Sequence, residues 1–295
     1  MLNFRRANFS DFENIKAIVH SFEELSCELS EINLLLWQGI YGFEFCIYNN
    51  ILFTKNCMDG VITFGIPFSK DMENAVNILR QFCKDNYLPL KFWAPQGERL
   101  RIFKEKFGDS FNYQPVRDSF EYIYNRQDLA ELVGKKYHSK RNHISGFMRK
   151  YDWKYEKLSD KNAKDAKIML SKWYEDNSYK KNDNMSAEQK GLYNILDNGL
   201  YNRFTGGVLR VDGQVVAFTL GCKINDTIFD VNIEKALSEF EGAYAMINNI
   251  FVLSELETFK YVNREEDMGI EGLRKAKLSY RPIILLEKYL ITEEV

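Results

Sequence analysis

The chain has 295 residues, of which 45% are hydrophobic and 28% charged, a balance that fits about two globular domains and excludes disordered and fibrous classes. Its 40 Lys and Arg nearly cancel its 42 Asp and Glu to leave −2, so no overall field draws it to nucleic acid or anionic membrane, and such binding needs a local patch. Five sparse cysteines (Cys27, Cys46, Cys57, Cys83, Cys222) without a CxxC pair, and three dispersed histidines, point to reduced thiols and no metal site.

Ser10 with Glu13 reads as a capping box opening a helix that carries Phe12, Ile15, Val19 and Phe22. Residues 40–48 read as a strand, Asn49-Asn50 as a turn and 51–54 as its hairpin partner, with 61–66 a third strand. A helix over 72–82, a strand at 90–93, a helix over 100–107 and a strand at 119–124 close the first half. The second half repeats the order. A strand near Trp153 leads to a helix carrying Ala166, Met169, Leu170 and Trp173, and Ser186 with Gln189 reads as a second capping box. Asp212-Gly213, suited to the positive φ angles of a tight turn, joins strands 207–211 and 214–221. A strand at 227–233, a helix over 243–256, a strand at 259–262, a helix over 270–277 and a last strand at 283–289 follow.

That order, twice over, is the order of the GCN5-related N-acetyltransferase (GNAT) fold. The expected class is therefore α/β, with mixed α+β sheets, in tandem GNAT-like (acyl-CoA N-acyltransferase) domains at 1–130 and 131–295, the second holding the active cleft. The first residues lack the apolar run of a signal peptide, and no stretch approaches the ~18 apolar residues of a membrane span. A cytoplasmic protein without an integral membrane segment is expected.

The segment from Asn263 through Arg264, Glu265, Glu266, Asp267, Gly272, Leu273 and Arg274 to Lys277 resembles the family related to the carboxy-terminal domain of phosphatidylglycerol lysyltransferases. So do Val231-Asn232-Ile233-Glu234-Lys235-Ala236, Glu241-Gly242-Ala243-Tyr244 and Ser139-Lys140-Arg141-Asn142, and the family's late Gly-Leu, Lys, aromatic and Pro fall on Gly272-Leu273, Lys277, Tyr280 and Pro282. The resemblance implies a double-GNAT protein similar to the Fem peptidyltransferases, which take an amino acid from aminoacyl-tRNA. Two departures weaken a lipid acceptor: the membrane-embedded half is missing, and the family's Asp-Leu-Met-Arg reads Asp230-Val231-Asn232-Ile233. The expected activity is transfer of an aminoacyl or acyl group to an amine or hydroxyl, with aminoacyl-tRNA preferred as donor over coenzyme A, no covalently bound cofactor, no metal, and a lipid, peptide or small molecule as acceptor. The alternatives are an acyl-CoA-dependent N-acyltransferase and a non-catalytic binding module of the same fold.

Acyl transfer needs a base for the nucleophile, donors for the oxyanion and a place for carrier phosphate. Glu234 is a candidate base or a solvated strand end, and Lys235 should point to the opposite face. Glu265, Glu266 and Asp267, beside Asn263 and Arg264, suit either an ammonium or a helix dipole, with Asp267 also a candidate N-cap. Arg274 and Lys277 complement a helix end or meet an oxyanion or phosphate, and Tyr280 is a proton donor or a packed ring. Gly242, Ala243 and Tyr244 start a helix where GNAT folds hold pyrophosphate, and a plain small-residue start is the competing reading. Residues 134–150 carry Lys135, Lys136, Lys140, Arg141, Arg149 and Lys150 with no acid, which fits a polyanion or a solvated helix face.

Overall fold

The computed structural model describes residues 2–178 and 182–294. In chain order the elements are α1 (Phe9–His20), α2 (Glu31–Trp37), β1 (Glu44–Tyr48), β2 (Ile51–Met58), β3 (Val61–Gly65), α3 (Met72–Asp85), β4 (Lys91–Pro95), α4 (Glu98–Phe107), β5 (Phe111–Pro115) and β6 (Glu121–Asn125). They continue with α5 (Arg126–Glu131), α6 (His138–Lys150), β7 (Trp153–Lys157), α7 (Ala163–Asp176), α8 (Asp183–Asp197), β8 (Thr205–Val211), β9 (Gln214–Lys223), β10 (Ile228–Ala236), α9 (Ala243–Glu255), β11 (Tyr261–Asn263), α10 (Glu271–Leu278), β12 (Ile284–Leu286) and β13 (Lys288–Glu293).

Two compact units result, and neither is a continuous stretch: Met1–Glu121 with Glu266–Arg274 and Leu285–Val295, and Tyr122–Glu265 with Lys275–Ile284. A single division at 130 and 131 was the sequence expectation; the chain instead crosses between units several times. The first unit holds a sheet ordered β1-β2-β3-β4-β13-β5, the second one ordered β12-β6-β11-β10-β9-β8-β7. Each has an antiparallel meander followed by a parallel neighbour, β3 to β4 and β10 to β11. Mixed sheets with helices on them are what the tandem GNAT-like class requires.

Two strands lie where the sequence reading did not put them. β6, expected to close the first half, pairs antiparallel with β11 of the second sheet. The expected last strand at 283–289 is broken at Glu287, and its continuation β13 sits in the first sheet between β4 and β5, antiparallel to both. β5 itself has the exposed and half-buried Asn112, Tyr113 and Gln114 around buried Phe111, too weak an alternation to be read as a strand.

Local signals mostly hold, with shifts at helix starts. Asn8, not Ser10, caps α1: its side chain accepts from the Ser10 amide at 3.0 Å, and Asp11 accepts from the Asn8 amide at 2.9 Å. Asn182 likewise caps α8 by accepting from the Met185 amide at 2.8 Å, which leaves Ser186 inside the helix. The reading at 40–48 starts late because Gly42 turns the chain at φ 53°, where a Cβ would lie 2.9 Å from the Cys57 carbonyl oxygen. The Asp212-Gly213 turn has the two positive φ angles, 47° and 82°, that the sequence pointed to.

The first sheet buries Phe53, Phe64, Phe92 and Ile291 against Val76, Leu79 and Phe103 of α3 and α4, while Phe12, Ile15 and Val19 of α1 cover Phe45, Leu52 and Phe68. Each such side chain contributes about 1.5–3 kcal/mol on burial. In the second unit Leu209, Val216 and Ala217 pack on Phe147, Met246 and Ile247.

One buried cation fastens β13. Lys288 is 3% exposed, and its ammonium lies 2.5 Å from Glu28, 2.9 Å from Glu121 and 3.9 Å from Glu266. Burial alone would push it down; the three carboxylates more than reverse that and hold it well above the ordinary lysine value. Glu121 also accepts from the Ser26 hydroxyl at 2.6 Å and the Cys27 amide at 3.0 Å. Lys288→Met should therefore leave buried carboxylates uncompensated and lower stability by about 3–5 kcal/mol, read from urea unfolding of the purified variant.

Candidate functional site

The parallel pairing of β10 and β11 runs only from Ile228↔Tyr261 to Asp230↔Asn263. Beyond it β10 continues to Ala236 along β9, past a register shift between Asp230 and Ile233. The chain leaving β11 places Arg264 beside this overrun. Its Nη2 donates to Glu234 Oε1 at 2.7 Å, and the Asn248 side chain, from α9, donates to Glu234 Oε2 at 2.9 Å. Both charged side chains are 12% exposed.

Around this pair stand aromatic and basic groups of the same unit. The Arg264 guanidinium carbon is 4.8 Å from the Tyr280 ring centre, and Lys140 Nζ, from α6, is 4.0 Å from it. Tyr124 of β6 donates its hydroxyl to the Lys277 carbonyl at 2.8 Å, and Tyr137 donates to the Tyr280 carbonyl at 3.2 Å. Two phenols thus fix the backbone on which Tyr280 sits. Lys277, buried, donates its ammonium to the Arg264 carbonyl.

Burial pushes the Tyr280 phenol up to about 12, with Arg264 pulling against that shift, so it is a proton donor throughout the physiological range. Lys140 moves the other way: burial lowers it, repulsion from Arg264 lowers it further, and Glu234 only partly compensates. A half-buried ammonium of lowered pKa and a guanidinium beside a protonated phenol suit a substrate with an anionic oxygen and a leaving group that needs a proton.

The remaining sequence-derived candidates are dispersed. Lys235 points away from Glu234, as strand alternation demands: its ammonium is 2.9 Å from Glu188 and 4.2 Å from the Trp173 ring centre. Arg141 is spent on the Leu132 and Gly134 carbonyls, and Asn142 contacts the His138 ring at 3.2 Å on its own helix. Asn263 is fully buried and accepts from the Glu265 amide at 2.8 Å. Gly242 begins α9 at φ 87°, where a Cβ would lie 2.6 Å from the His143 carbonyl oxygen; close packing on α6 accounts for the glycine. Ala243 is buried, and the Tyr244 hydroxyl accepts from the Trp173 indole at 3.0 Å.

The acidic run does not act as one group. Glu265 accepts from the Asn232 side chain at 3.1 Å, whereas Glu266 and Asp267 belong to the first unit. There Glu266 faces Lys288, and Asp267, fully buried, accepts from Arg274 at 2.8 Å through both oxygens and from Arg117 at 3.1 Å. Arg274 also reaches Asp118 at 2.7 Å. Sequence reasoning missed Asn248, Tyr124 and Tyr137. For Asn248 a signal existed: Asn248-Asn249 interrupts the apolar run of α9.

Of the two sequence readings of Lys277, an exposed helix-end charge does not hold, because the side chain is buried and its ammonium is turned to the Arg264 carbonyl. Lys277→Met removes a buried hydrogen bond and orphans a carbonyl, so a loss of about 1–3 kcal/mol is expected on thermal or urea unfolding; melting unchanged from wild type would contradict the placement.

Comparison with known proteins agrees with this architecture. A conserved protein of unknown function from Bacteroides thetaiotaomicron is 32% identical, with a TM-score of 0.93 over 100% of both chains. The C-terminal domain of a putative lysylphosphatidylglycerol synthetase from Agrobacterium fabrum shares the fold at 13% identity and a TM-score of 0.69, covering 98% of this chain and 93% of that one. FemX does so at 8% identity and 0.60, covering 99% and 95%. Among the described residues no helix is long and apolar enough to cross a membrane. The family described as phosphatidylglycerol lysyltransferase, C-terminal, matches residues 20–292, and it is to this family, built on two GNAT-like units as in the Fem proteins, that the chain belongs.

Proposed function

We propose that the chain is an aminoacyl transferase that takes an amino acid from aminoacyl-tRNA and passes it to an amine or hydroxyl, at the cluster around Tyr280. The observation carrying this reading is the buried, protonated Tyr280 phenol beside Lys140 and the Arg264–Glu234 pair, in a chain whose family is that of the phosphatidylglycerol lysyltransferase C-terminal domain. The acceptor's nitrogen or oxygen bonds to the ester carbonyl carbon, the carbon–oxygen bond to the ribose breaks, and Tyr280 gives its proton to the departing hydroxyl. The proton lost by the acceptor returns to the phenol through solvent. Glu234 fixes Arg264, and Lys277 holds the Arg264 backbone. Among the exposed basic residues, Lys135 and Arg149 are available to follow an RNA backbone.

An acyl-CoA donor remains the competing reading, and the packing of Gly242 against α6 gives it less support. The acceptor class, lipid, peptide or small molecule, is read from the assay. Incubation with radiolabelled aminoacyl-tRNA and each acceptor class should move label from RNA to one of them, and label moved only from acyl-CoA would overturn the donor assignment. Tyr280→Phe should lower turnover by about 10²–10⁴-fold with little change in melting. Replacing Lys135 and Arg149 by Ala should each reduce the salt-dependence slope of tRNA binding by about 1.

A further inference from the structure

Two buried polar atoms at the Glu234 cluster have no hydrogen-bond partner among the described residues: Arg264 Nη1, a donor, and Asn248 Oδ1, an acceptor. Leaving a buried donor unsatisfied is unfavourable, so a native structure that keeps one calls for an occupant. Arg264 uses Nη2 on Glu234, and its other fork arm is left over. Lys140 stands in a similar position. Its ammonium stacks on the Tyr280 ring at 4.0 Å, and among the described residues it has neither a carboxylate at ion-pair distance nor a hydrogen-bond acceptor.

The charges do not balance. Facing Lys140 are Glu234 from β10, Arg264 from the end of β11 and Tyr280 after α10. Two cations thus share one carboxylate, already engaged through both oxygens. Both cations lie within 5 Å of the centre of one aromatic ring, at 4.0 and 4.8 Å, and that ring carries a hydroxyl that stays protonated. One negative charge is missing.

We propose that Lys140 Nζ and Arg264 Nη1 form a subsite for a singly charged oxyanion, a carboxylate or phosphodiester oxygen, seated at the Tyr280 ring. That the oxyanion belongs to the transferase substrate rests on the function proposed above; the subsite itself does not. The guanidinium supplies directed N–H donors and the ammonium a point charge, the pairing that suits such oxygens. An anion there would also offset the repulsion from Arg264, one of the causes that lower Lys140, and so raise its pKa.

That coupling makes the test independent of turnover. Acetate and dimethyl phosphate serve as the carboxylate and phosphodiester probes, with chloride at equal ionic strength as the control. Two readouts are taken on the whole chain: the melting temperature, and the rate at which Lys140 is acetylated by an N-hydroxysuccinimide ester, followed by peptide mass spectrometry. One or both probes should raise the melting temperature saturably. They should also slow Lys140 labelling, by about tenfold for each unit by which its pKa rises. Lys140→Gln should lose the melting response and Lys140→Arg should retain it. Whichever probe acts identifies the oxyanion; a response to neither, or a full response in Lys140→Gln, overturns the subsite. A chain that moves an amino acid from tRNA yet gives no anion response refutes the subsite alone. One that binds the anion and transfers nothing refutes the transferase reading alone.

Discussion

The second unit is organised by the early end of one parallel pairing. β10 loses β11 after Asp230 and runs on to Ala236 with β9 on its other edge. Beside that overrun two side chains, Arg264 from the end of β11 and Asn248 from the helix that packs on the sheet, converge on the Glu234 carboxylate. Tyr280, Lys140 and the two backbone-fixing phenols are arranged around that pair.

The two buried charge clusters differ in sign. Lys288 in the first unit is one cation among Glu28, Glu121 and Glu266, and those acids are further held by Ser26, the Cys27 amide and the Trp93 indole. That arrangement is rich in acceptors, and it ties a late strand into an early sheet. Around Tyr280 the excess is positive, and donor capacity is left over. A cluster built for structure closes on itself; one that keeps an unmatched donor and a surplus charge has room in its electrostatics for a ligand. The Tyr280 cluster has the second character and the Lys288 cluster the first.

Much of this was legible beforehand. Hairpins marked by Asn49-Asn50 and Asp212-Gly213, the amphipathic helices and their alternation with strands suffice for the tandem fold, because these are local signals. What failed was non-local. Nothing in residues 119–124 or 283–289 says which of two similar sheets will take them, since both offer apolar positions at the same spacing. Capping shifted by two to four residues, from Ser10 to Asn8 and from Ser186 to Asn182, because several polar residues near a helix start compete for one role. At the site, Glu234, Lys140, Arg264 and Tyr280 were named and do converge. Glu265, Glu266 and Asp267 looked like a unit only because they are adjacent in the chain; the backbone turns at Glu265, φ 57°, and parts them.

The placement of β13 also sets an order of events during synthesis. Among the described residues β5 has no sheet neighbour except β13, and β4 has β3 on one edge only until β13 arrives. Both strands leave the ribosome long before residue 288. At about 5–20 residues per second, roughly nine to thirty-five seconds of elongation separate the emergence of β5 from that of its partner. Throughout that interval the nascent first unit carries two open sheet edges and the acids Glu28 and Glu121 without their lysine. A chaperone that shields strand edges has its natural window there, and codon choice between β6 and β13 sets how long that window lasts.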